Sequence, residues 1–145
     1  MATERQAEVR WQGSLIDGSG TIVSTTTGAI GEQAVSWAAR STGETGGMTS
    51  PEELIAAAHA ACFAMALSNT LAKDDHAPDE LRTSATVTFQ PGEGITRIAL
   101  TVEGRVPGLD DAAFQQAAQS AKENCPVSQA LAAVPEISLE ARLSG

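Results

Sequence analysis

The sequence predicts an α+β domain built on antiparallel sheet, and three observations predict it. Segments that alternate loosely between apolar and polar residues come in pairs around Gly-rich turns: AEVRWQGSL (7–15) with GTIVSTT (20–26), and TSATVTFQ (83–90) with ITRIALTVEGRV (95–106). That is the pattern of hairpins. Two helical stretches, one after residue 50 and one after residue 110, separate these strands, and a last alternating segment, EISLEARL (136–143), closes the chain. Strands in groups, not in strict βαβ alternation, give segregated antiparallel sheet with helices. With 145 residues, 42% of them hydrophobic, and no repeat or linker, the chain reads as one domain over 1–145.

The elements follow in order. Asp17, Gly18, Ser19 and Gly20 mark the first turn, and QAVSWAAR (33–40) reads as a third short strand ending at Arg40. Residues 41–50 form a Gly/Ser/Thr loop without periodicity. Ser50 then suits an N-cap, Pro51 the first helical position, and Glu53 the far end of a capping box. The helix they start is expected to run to about Lys73. It is apolar nearly all round, from Leu54 through Leu67, so it must be surrounded by protein. One chain with only 3% aromatic residues is poorly equipped for that, and a dimer interface is a natural solution. Pro91, Gly92, Glu93 and Gly94 turn the second hairpin, 110–123 reads as a helix with an acidic first turn, and a break at Cys125–Pro126 should start a short helix to about Ala133.

The net charge of −9 is scattered over the chain. Such a field repels phosphate backbones and anionic lipids, which excludes nucleic acid and membrane surfaces as partners. The first eight residues lack a basic segment followed by an apolar one. The longest mostly apolar run, Leu54 to Leu67, has 14 residues, short of a bilayer span. Cytoplasmic residence, where thiols stay reduced, is therefore expected.

Two cysteines carry the chemistry the residues offer. Cys62 lies three turns into the buried helix, a place that equally suits an inert core thiol, because free cysteine is among the most buried residue types. Cys125 precedes Pro126 and is expected at a helix N-cap, where the helix dipole favours thiolate. More than sixty residues separate them, which fits a thiol pair cycling through a disulfide but neither a CxxC redox motif nor a zinc ribbon. His59 precedes Cys62 by one helical turn, but the other histidine, His76, lies in an acidic loop. No metal site is expected, and His59 reads as a buried residue with one hydrogen-bond partner. No phosphate loop opens a helix in a βαβ setting, so no nucleotide cofactor is expected.

The runs SPEELIAAAHAACFAMALS and NCPVSQAL resemble those of the OsmC/Ohr family of osmotically inducible and organic hydroperoxide resistance proteins. WQGSLIDGSGTIVST, Arg40 before the Gly-rich loop, and VPGLD extend the resemblance over essentially the whole chain. It implies an OsmC-like fold, in which antiparallel sheets wrap two long central helices in an intertwined homodimer. It also implies a cysteine peroxidase of the oxidative and osmotic stress response, needing no metal or other cofactor. By position Cys62 matches the peroxidatic cysteine, Cys125 the resolving one, and Glu52 the acidic residue ten before the first. The Ohr branch carries its arginine inside the first hairpin; in this chain that turn has none, and Arg40 matches the arginine of the OsmC branch.

The resemblance thus implies that Cys62 attacks an organic hydroperoxide and Cys125 forms a disulfide with it. Arg40, oriented by Glu52, would stabilise the thiolate, and an external dithiol, of lipoyl type, would regenerate the enzyme. Two other functions fit the residues: a dimer that binds a small hydrophobic ligand without catalysis, and a general thiol–disulfide reductase. Helix geometry adds one expectation. Glu52 and Cys62, ten residues apart, differ by about 15 Å along the axis and about 80° around it. Glu52 would therefore serve the Cys62 of the other subunit.

Overall fold

The computed structural model describes residues 1–144 and divides into two compact units, Met1–Glu53 and the chain from Leu54 onward. In the first unit, β1 (Ala7–Gln12), β2 (Ser19–Thr25) and β3 (Gln33–Val35) form an antiparallel sheet in that order. The register pairs Gln12 with Ser19 and Ala7 with Thr25, with a bulge at Glu8/Val9. The connecting turn is closed by the Gly18 amide donating to the Ser14 carbonyl at 2.8 Å, where any Cβ on residue 18 would overlap that oxygen. Val9, Trp11, Leu15, Ile16 and Ile30 of this unit remain exposed.

The third strand is shorter than the sequence suggests. It stops at Val35, and residues 37–41 form a helix, α1 (Trp37–Ser41). Ser36 causes the switch: its hydroxyl accepts the Ala39 amide at 3.1 Å, capping a turn that Ala38 and Ala39 favour. Arg40 is therefore in the last turn of a helix, not at a strand end.

Helix α2 (Pro51–Lys73) starts as expected, with the Glu53 amide donating to Ser50 Oγ at 3.1 Å. The Glu53 carboxylate takes the Thr49 hydroxyl at 2.7 Å in place of the reciprocal bond of a capping box. The helix ends in a Schellman motif: His76 N–H bonds the Leu71 carbonyl, Asp75 N–H bonds that of Ala72, and Asp75 adopts φ +62°. Its 23 residues are long and apolar enough to cross a membrane by length and composition alone, which corrects the reading of its apolar run as too short. Its inner stripe of His59, Phe63, Leu67 and Leu71, spaced by four, is buried as in a core helix. The opposite stripe is not: Ala57, Ala58 and Ala61 are exposed, and Met65 is 72% accessible.

In the second unit, β4 (Glu80–Gln90), β5 (Gly94–Arg105) and β6 (Glu136–Leu143) form a sheet in that order. β4 alternates in burial along its full length, and β5 turns Ile98, Leu100 and Val102 into the core. The sheet is mixed, not antiparallel throughout. β6 runs parallel to β5, pairing Arg97 with Glu136 and Gly104 with Leu143. The cause is the crossover through α3 (Asp111–Asn124) and α4 (Pro126–Ala130), which returns the chain to the same end of the sheet. Phe114, Ala118 and Ala121 of α3 join the stripe of α2 and the inner face of β5 in one core cluster. The Phe114 ring lies over Gly104, where an added Cβ would come within 2.6 Å of Cζ.

Candidate active site

Cys125 owes its position to Pro126. Proline lacks the N–H needed to continue α3 and pushes the residue before it into extended backbone, and Cys125 has ψ 122°. Its amide closes α3 on the Ala121 carbonyl at 2.9 Å, and its carbonyl opens α4 by accepting Gln129 N–H at 3.0 Å. Cys125 is thus both the C-cap of one helix and the N-cap of the next, with no exposed surface. On α2, Cys62 lies between the buried and exposed stripes and is half-buried. The two side chains are neighbours, each acting on the other's ionisation, and both thiols are free.

The electrostatics of the pair are unequal. Burial pushes the Cys62 thiol up and the contact with Cys125 adds to it, against a smaller opposing effect of the Val127 amide. Burial also raises Cys125, but the Cys62 S–H, the Ser128 amide and hydroxyl and the Val127 amide outweigh it and lower the thiol overall. None of the amides closes a formed capping bond on the sulfur, so they act as the field of a helix start.

His59 is fully buried, with Nε2 at 2.7 Å from Ser128 Oγ and Nδ1 without a partner. Burial lowers its pKa, so the ring is neutral at pH 7. The expected single partner is therefore present, and it is Ser128, which no sequence signal singled out beyond its place three residues after Cys125. His76 faces Pro107 and Gly108 instead. Among the described residues no group of three or more His, Cys, Asp or Glu could hold a metal ion.

In the first unit, Arg40 meets Glu52. Nε lies 3.0 and 3.1 Å from the two carboxylate oxygens, and Nη2 lies 2.7 Å from Oε1. Such a fork holds the guanidinium plane in one orientation. The structure thus brings the four expected residues together in two pairs, Arg40 with Glu52 and Cys62 with Cys125. Phe63, next to Cys62 in the chain, is in the core, while Met65 and Met48 are exposed. Met65 follows Ala61 on the outer stripe of α2.

Residues 43–140 match the family described as OsmC-like protein. The chain belongs to the OsmC family. It is 43% identical to the Peroxiredoxin OsmC of Escherichia coli (strain K12) over 146 residues, which covers 99% of both chains. Likeness to the organic hydroperoxide resistance protein of Xanthomonas axonopodis pv. citri is 35% over 89 residues, covering 61% of this chain and 63% of that one. The crystal structure of OhrB of Bacillus subtilis superposes with a TM-score of 0.59 at 25% identity, over 96% of this chain and 98% of that chain. An OsmC-like protein of Mycoplasma pneumoniae gives 0.69 at 16% identity, covering 97% and 98%, a likeness of fold. The α+β fold expected from the sequence is that of these OsmC and Ohr structures, and the likeness to the OsmC protein runs the full length of the chain.

Proposed function

We propose that this OsmC-family chain is a thiol-dependent peroxidase that reduces organic hydroperoxides to alcohols. A peroxide-related redox role is supported by the names of its relatives, a peroxiredoxin and organic hydroperoxide resistance proteins. The observation that carries the cysteine mechanism is the contact of two free thiols, one half-buried on α2 and one fully buried at the α3–α4 break. Access assigns the roles. A peroxide can reach Cys62, whereas Cys125 has no exposed surface and can react only with its neighbour. The Cys62 thiolate attacks one peroxide oxygen, the O–O bond breaks, and alcohol leaves with a proton; Cys62 becomes a sulfenic acid. Cys125 then displaces water from it to form the disulfide, and an external dithiol of lipoyl type reduces the bond by exchange. The burial of Cys125 argues against a general reductase of protein disulfides.

Because its surroundings raise the Cys62 thiol, the reaction needs a cation, and Arg40 held by Glu52 fills that role in this reading. The exposed stripe of α2 and the exposed apolar residues of the first unit support a homodimer, in which Glu52 serves the Cys62 of the other subunit. The cytoplasm is the expected site of action. Intact-mass analysis after one equivalent of an alkyl hydroperoxide tests the scheme. Wild type should lose about 2 Da, Cys62→Ser should not react, and Cys125→Ser should consume one equivalent and stall as a sulfenic or over-oxidised species. Sustained turnover by Cys125→Ser would overturn the resolving role. Refolding inactive Cys62→Ser together with inactive Glu52→Ala should restore activity if the site is shared, and heterodimers that form yet stay inactive would refute sharing.

A further inference from the structure

The buried His59 is not used by this scheme, and its partner touches the thiol that is. Ser128 sits at the third position of α4, where its hydroxyl acts on Cys125 on one side and meets His59 Nε2 at 2.7 Å on the other. A hydroxyl has a single hydrogen, so it donates to one of these partners and accepts from the other. The unpartnered Nδ1 decides which. A buried N–H without an acceptor is rarer than an unused lone pair, which assigns the ring hydrogen to Nε2. Nε2–H then donates to Ser128 Oγ, and the hydroxyl hydrogen is left for the Cys125 sulfur. A hydroxyl that already accepts a hydrogen bond is the stronger donor for it.

We infer that His59, acting through Ser128, is a positioning residue for the resolving thiol: the chain Nε2–H to Oγ–H to Sγ holds Cys125 as a thiolate ready to attack the Cys62 sulfenic acid. The inference rests on the peroxidase reading for the identity of the step it serves. Its weight rises in that step. Among the described residues the groups acting on Cys125 are the Cys62 S–H, the Val127 and Ser128 amides and the Ser128 hydroxyl. Once Cys62 is oxidised its S–H is gone; the sulfenic hydroxyl that replaces it must depart in the step, and the Ser128 hydroxyl is the side-chain donor that stays. In resolution the S–S bond forms, the S–O bond of the sulfenic acid breaks, and the departing hydroxide leaves as water with the proton that Cys125 gave up. No other reactant is needed. His59 is neutral throughout, as its burial requires.

The test separates the two cysteines. In a Cys62→Ser background, the ultraviolet absorbance of the Cys125 thiolate is followed against pH. Ser128→Ala removes a donor to an ionised group, so its midpoint should rise by about one pH unit. His59→Ala should move it in the same direction, and His59→Gln, whose amide can still donate to Ser128, should return it toward the parent value. With both cysteines present, one equivalent of cumene hydroperoxide and rapid acid quench resolve the two steps by mass. Disulfide formation in Ser128→Ala should slow by up to about tenfold at neutral pH, the fall in thiolate for one unit, and sulfenic acid formation should slow less. Near-ultraviolet circular dichroism of Trp11 and Trp37 checks folding, and Ser128→Ala, the smaller change, carries the test if His59→Ala does not fold. An unmoved Cys125 midpoint in folded Ser128→Ala, or equal slowing of both steps, would overturn the inference. If wild type forms no disulfide, the peroxidase reading fails, and the titration of Cys125 still judges the relay.

Discussion

The ion pair of Arg40 and Glu52 joins two unequal environments, and truncating its ends should therefore give unequal losses. The Glu52 side chain is 8% accessible and that of Arg40 32%. Arg40→Ala leaves a nearly buried carboxylate facing no cation. Breaking a fully buried pair costs about 3–5 kcal/mol, and the partial exposure of this one reduces that to about 2–3 kcal/mol. Glu52→Gln keeps an acceptor for the fork and leaves a guanidinium that water still reaches, a loss of about 1 kcal/mol. The double variant should fall short of the sum by about 1 kcal/mol, the coupling of a bidentate pair that is neither buried nor exposed. Urea unfolding of the four proteins measures this cycle. Raising the salt should reduce the coupling only in part, because the buried end is poorly screened. A larger loss for Glu52→Gln than for Arg40→Ala, or a coupling near zero, would refute the assignment of the burial and of the fork.

Burial lowers the His59 pKa, so between about pH 6.5 and the lower folded value the unfolded chain binds the extra proton. Relative to His59→Gln, wild type should lose stability on acidification through that window, by up to about 1.4 kcal/mol per pH unit, and the two should run parallel above pH 7; curves parallel throughout would refute it. Gly104→Ala places a Cβ 2.6 Å from the Phe114 ring and should lower stability by about 1–3 kcal/mol in thermal melts, partly recovered by Phe114→Leu. Asp75→Gly relieves a positive φ and removes a negative charge from a helix C-terminus; it should raise the urea midpoint, equivalent to about 0.5–1 kcal/mol, with an unchanged m value.

Much of this was legible because it is local. Ser50 and Pro51 start α2 and Asp74 follows its last residue, while Pro126 breaks the chain after Cys125, all through sterics and caps acting within a few residues. The strand expected over 33–40 gives way to α1 for the same reason: the alternation of QAVS does not continue through WAAR, because Ser36 before Trp-Ala-Ala is a local cap signal. Glu53 offered the capping box its sequence position allows, but Thr49 competed for its carboxylate at shorter range.

By itself, then, the sequence determined where α2 and α3 begin and end, which strand faces are apolar, and which two cysteines are available, since these depend on neighbouring residues and on periodicity. Only the tertiary structure decided that β6 runs parallel to β5, that the thiols touch across more than sixty residues of chain, that Cys125 is the one sealed from solvent, and that His59 is paired with Ser128, 69 residues away. Each of these follows from the packing of α2 with the crossover helices over the sheet. Packing brings together residues whose local sequences carry no record of one another, because the energy that joins them is the burial of a shared apolar surface and not any property of either segment alone.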